Sequence, residues 1–104
     1  MQLVKTVMIS MLNDKFRKSG GGVVMTNGAM ALPDVCGLMQ SVRAFDDFND
    51  DNDPHGEHDF GSVDWRGNKV FWKIDYYDKD LRGWADPFTK ECHRVMTVML
   101  ADEY

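Results

Sequence analysis

The stretch Lys69-Val70-Phe71-Trp72-Lys73-Ile74-Asp75-Tyr76-Tyr77 alternates with a period of two. Val70, Trp72, Ile74 and Tyr76 fall on one side and Lys73 and Asp75 on the other, the pattern of a half-buried β-strand rather than a helix. Just upstream, Arg66-Gly67-Asn68 is a compact turn, and Phe60-Gly61-Ser62-Val63-Asp64-Trp65 before it completes a hairpin. Downstream, beyond a loop carrying Gly83 and Pro87, Arg94-Val95-Met96-Thr97-Val98-Met99-Leu100 is rich in β-branched residues. It reads as a further strand, with a buried helix as the alternative for so continuous an apolar run.

Towards the N-terminus the period changes. Leu3, Val4, Val7, Met8, Met11, Leu12 and Phe16 follow the i, i+3, i+4, i+7 spacing of one helix face. The helix stops at Ser19-Gly20-Gly21-Gly22, and its stripe is expected to dock on the core of its own domain, because its polar side is not dominated by Lys and Arg as in a membrane-surface helix. Val23-Val24-Met25-Thr26 is a short strand ending in a turn at Asn27-Gly28. Pro33-Asp34 opens a second helix with Val35, Leu38, Met39, Val42 and Phe45 at helical intervals and Asp34 in the first turn. The order helix, strand, helix, hairpin, strand predicts one α+β domain, residues 1–104, in which a small antiparallel sheet is covered on one face by helices.

Composition bounds the function. With 104 residues, 43% hydrophobic and 28% charged, the chain suits one modest core and has little to spare for a deep enclosed active site. No stretch is long enough to span a bilayer, and the run from Thr6 to Leu12 after Lys5 is interrupted by Asn13-Asp14-Lys15 before it makes a signal peptide. Cys36 and Cys92 lack C-x-x-C spacing, as suits a reducing compartment. A cytoplasmic protein is expected.

The net charge of -5 conceals a polarised layout. Eight of the 17 acids lie between Asp46 and Asp64, in DDFNDDNDPHGEHDFGSVD, with no Lys or Arg; the rest of the chain carries nine acids against 12 bases. Such density calls for solvent, a cation or a basic partner. Asp51-x-Asp53-x-His55-Gly56 opens like a calcium loop, but His55 stands at position five and Ser62 takes the place of the bidentate Glu at position twelve. His55, Glu57, His58 and Asp59 could offer imidazole and carboxylate to a transition metal, with His93 as a distant third imidazole. His58 beside Glu57 and Asp59 has the makings of a general base, yet no nucleophile elbow, zincin motif or phosphate-cradling loop accompanies it. Against these stands a solvated, turn-rich loop, since Asn and Asp bond their own backbone. Closely spaced carboxylates can also imitate a phosphate backbone, which disfavours direct binding to nucleic acid and favours proteins that bind it.

Five segments carry a resemblance: Asn52-Asp53-Pro54-His55-Gly56-Glu57-His58-Asp59-Phe60-Gly61, Phe71 to Asp78, Arg94 to Tyr104, Leu12 to Arg17 and Gly22 to Gly28. Together they resemble the bacterial family of unknown function DUF3768. The resemblance implies a setting in bacteria, plasmids and other mobile elements, and brings no reaction, cofactor or catalytic residue with it. The expectation is a small acidic interaction protein. Asp46, Asp47, Asp50, Asp51 and Asp53 would face a basic or nucleic-acid-binding protein partner, such as a host restriction or CRISPR complex that a mobile element inhibits, with no membrane role. The alternatives are a metal-dependent hydrolase or structural metal protein using Glu57, His58 and Asp59 with a divalent metal, and a housekeeping plasmid protein.

Overall fold

A computed structural model describes residues 2–19 and 21–104, apart from the side chains of Gln2 and Leu3. The helices are α1 (Gln2–Ser19), α2 (Asn27–Met30) and α3 (Val35–Arg43); the strands are β1 (Val23–Met25), β2 (Phe60–Trp65), β3 (Asn68–Tyr77) and β4 (His93–Leu100), followed by a single 3-10 turn at Ala101–Glu103. The sheet order is β1-β4-β3-β2. The β2–β3 hairpin closes through Arg66 and Gly67, both at positive φ (51° and 87°), the conformation a two-residue turn needs to match the twist of its strands.

The run from Arg94 to Leu100 is a strand between β1 and β3, and it buries Met96, Val98 and Met99. The sheet is mixed, however, and departs from the antiparallel expectation at one pair. Val23, Val24 and Met25 run parallel to Met96, Thr97 and Val98, because α2, α3 and the hairpin carry the chain across before β4 returns beside β1 in the same direction.

In register across the ladder, Val70, Trp72 and Ile74 of β3 sit beside Leu100, Val98 and Met96 of β4. With Ala29, Leu38, Met39 and Val42 from α2 and α3 they form the core, so the helices cover one sheet face as expected. Asp34 lies one residue before α3, at φ 55°, and its side chain accepts from the Gly37 N–H as an N-cap. Asn27-Gly28, read as a turn, is one helical turn capped by Thr26.

Helix α1 overturns a sequence expectation. The residues it buries are Ile9, Ser10, Asn13 and Arg17, while Val4, Val7, Met8, Met11 and Leu12 are exposed. Only Phe16 of the predicted stripe packs against the core; the Leu3 side chain and Gly20 lie outside the described residues. The polar face goes inward because the interior offers it partners. Asn13 makes three side-chain hydrogen bonds, Arg17 donates from both terminal nitrogens, and the Arg17 guanidinium lies 4.9 Å from the centre of the Trp72 ring. No described helix is long and apolar enough to cross a membrane, and Cys36 and Cys92 are free thiols.

Candidate functional site

The acidic segment follows α3 as an irregular loop whose own side chains hold its shape. Asn49 Oδ1 accepts from the Asp51 and Asn52 N–H groups, Asn52 Oδ1 accepts from the Asn49 N–H, and Asn52 Nδ2 donates to the Asp47 carbonyl. Phe48 turns inward, stacks on the His58 ring at 3.8 Å and 3°, and meets Phe45 edge to face. Asp46, Asp47, Asp50 and Asp51 are thereby left on the surface, and among the described residues none of them is in an ion pair.

Asp53, grouped with those four from the sequence, belongs elsewhere. It is 8% exposed, and its carboxylate accepts from the backbone N–H of His58, which sits at φ 56°. It anchors the loop and is no part of the exposed acidic surface.

His58 joins loop and helix. Its Nδ1 lies 3.1 Å from both Asp14 carboxylate oxygens, and Asp14 in turn accepts from Arg17 at 3.0 Å. The His58 Nε2 is 3.7 Å from Asp53. Glu57 faces a different set: Tyr76 donates its hydroxyl proton to Glu57 Oε1 at 2.7 Å, while Asn13 Nδ2 donates to the Tyr76 oxygen and to the Glu57 carbonyl. Arg94 donates from Nε to Asn13 Oδ1 and from a terminal nitrogen to the Pro87 carbonyl. Burial and the bond to Glu57 hold the Tyr76 phenol far above the ordinary tyrosine range. Burial, and then the adjacent Glu57 carboxylate, raise the Asp59 carboxyl above the usual carboxylate range.

The trio read as metal ligands therefore disperses. Glu57 turns to Tyr76, His58 to Asp14 and Asp53, and Asp59 to a cleft beside β3, while His55 and His93 are exposed at separate places. Among the described residues no three His, Cys, Asp or Glu side chains are gathered as a metal needs. What the network does is mechanical: it ties α1, the acidic loop, β3 and β4 through bonds between residues up to 81 positions apart. Asn13, Asp14, Arg17 and Arg94 were missed by the sequence reading. The available signal was the i, i+4 spacing of Ile9, Asn13 and Arg17, a second stripe less apolar than its neighbour.

The fold and the site together define a small α+β domain, a four-stranded mixed sheet clamped to an acidic loop by a half-buried polar network. Within that class the chain belongs to the family described as Protein of unknown function (DUF3768), whose model matches residues 25–103. The match takes in the loop, the hairpin and β4, while α1 lies ahead of it. No curated protein and no solved structure matches the chain.

Proposed function

We propose that the protein is an interaction module that docks its acidic loop on a basic, nucleic-acid-handling protein, in the manner of a mobile-element inhibitor of a host restriction or CRISPR system. The observation that carries this reading is that Asp46, Asp47, Asp50 and Asp51 are exposed and outside any described ion pair, on a loop whose backbone is already ordered by Asn49, Asn52 and the inward Phe48. Carboxylates held in place before binding lose little conformational freedom on docking, and their potential steers a basic surface toward them. The exposed Val4, Val7, Met8, Met11 and Leu12 side chains of α1 add apolar surface of the kind interaction proteins present. The mobile-element setting that the family resemblance implies supports the identity of the partner.

Tagged protein should capture a basic nucleic-acid-binding protein from host lysate at low salt. Converting Asp46, Asp47, Asp50 and Asp51 to Asn should weaken capture and flatten its salt dependence. Capture indifferent to the four substitutions would refute the acidic-loop mechanism.

A further inference from the structure

Trp84 stands between two openings. A cleft of about 360 Å³ lies along the outer edge of β3, bounded by Asp59, Asp75, Tyr76 and Gly83; a second, of about 310 Å³, holds Glu57, Asp86 and Lys5, and Trp84 and Tyr76 line both. The outer edge of β3 explains the opening. The Ile74 N–H donates to the Asp59 carbonyl and the Asp78 N–H to the Gly83 carbonyl, so two chain segments grip the strand on either side of Asp75 and Tyr76 and leave a notch between them. The bridge between Tyr77 and Trp84 holds the Trp84 backbone there, yet Trp84 is 71% exposed.

The charges of the notch do not balance. Asp86 is paired with Lys5 at 3.4 Å and Asp75 with Lys73 at 3.1 Å, while Glu57 accepts only from the neutral Tyr76 hydroxyl and Asp59 has no ion-pair partner among the described residues. Two carboxylates without a cation therefore flank an exposed indole. A neutral ligand such as a sugar could use the ring but would leave the charge uncompensated. A planar cation uses both, because a guanidinium stacks on an indole face and offers its N–H groups to a carboxylate in the same plane.

We infer that this notch is a receptor for a guanidinium group, with Trp84 as the stacking platform and Asp59 as the counter-charge. The natural source is an arginine side chain of the basic partner, and in that respect the inference rests on the function proposed above. Recognition of the guanidinium itself does not.

The probe is N-acetyl-arginine methylamide, titrated into the full chain while the Trp84 indole N–H is followed by NMR, with the neutral isostere N-acetyl-citrulline methylamide as control. Saturable movement of the Trp84 signal with the arginine compound is expected, and isothermal titration calorimetry, which does not depend on that signal, should show binding at least about tenfold weaker for citrulline and for the Trp84→Ala and Asp59→Asn variants. An unchanged Trp72 indole signal reports that these variants keep their fold. No saturable shift with arginine, or an equal response to citrulline, overturns the inference. The combined Asp46→Asn, Asp47→Asn, Asp50→Asn and Asp51→Asn variant should bind the arginine compound as the parent does, so failure of the acidic-loop reading and failure of the notch are separable. If Trp84→Ala also weakens partner capture, the guanidinium comes from the partner; if capture is unchanged while the arginine compound still binds, the notch serves a free guanidinium compound.

Discussion

Gly61 of β2 faces Trp72 of β3 across the hairpin ladder, and a methyl group at position 61 would run into the indole. The largest side chain of the core fits under the sheet because its cross-strand neighbour has none. Gly61→Ala should destabilise the fold by about 1–3 kcal/mol through overpacking, measured by urea unfolding. A change smaller than about 0.5 kcal/mol would mean that the indole can move aside.

The two faces of β3 should respond unequally to substitution. Trp72 is fully buried, so Trp72→Asp loses its burial and places an unpaired charge in the core, a loss of several kcal/mol. Lys73 is half-exposed and paired only with Asp75, so Lys73→Ala should stay within about 0.5 kcal/mol. Equal effects would contradict the assigned strand faces.

For α1 the contrast runs against hydrophobicity. Ile9→Ala should destabilise by about 2–4 kcal/mol, whereas Met11→Ser, at 64% exposure, should change stability by no more than about 0.5 kcal/mol. If Met11→Ser proves the more damaging, the buried face is the apolar stripe after all.

Tyr76→Phe removes the hydroxyl that joins Glu57 to Asn13 and leaves both polar groups short of a partner, with an expected loss of about 1–3 kcal/mol. Because Asn13 shares the same hydrogen bond, Asn13→Ala and Tyr76→Phe should be non-additive by roughly 0.5 kcal/mol or more in a double-mutant cycle. Strict additivity would mean that the two side chains act independently.

The raised carboxyl of Asp59 predicts a pH signature. Its ionised form is disfavoured first by burial and then by Glu57, so its contribution to stability is fully present below the unfolded value of 3.8 and is lost as pH rises through the higher folded value. Asp59→Asn should therefore raise Tm near pH 7, and the gain should shrink as the pH is lowered through the carboxylate range to about 3. A gain that is constant with pH would assign it to packing instead.

The hairpin, β4 and α3 were legible because each follows from a local rule: period-two alternation, a compact turn with glycine, an apolar run of strand length, and helical spacing after Asp34. The α1 face was not legible, since two stripes compete on one helix and the decision rests on residues far away in sequence. Asn13 turns inward only because Glu57, Tyr76 and Arg94 wait for it. The acidic run announced itself by composition, but nothing local separates the exposed Asp51 from the buried Asp53; the His58 N–H makes that difference. The parallel β1–β4 pair was hidden for the same reason, as a three-residue strand records nothing of its neighbour's direction.

The place of β4 has a consequence for how the chain assembles. β4 follows the other three strands in the chain yet lies between β1 and β3, so neither of those has its shared neighbour until residues 93–100 have been synthesised. A nascent chain lacking that segment can form the hairpin and α3 but exposes the inner edges of β1 and β3, an opening for intermolecular pairing. Completion of the sheet is thus a late event dominated by contacts distant in sequence, and a chaperone or partner that shields the β3 edge would act in that interval.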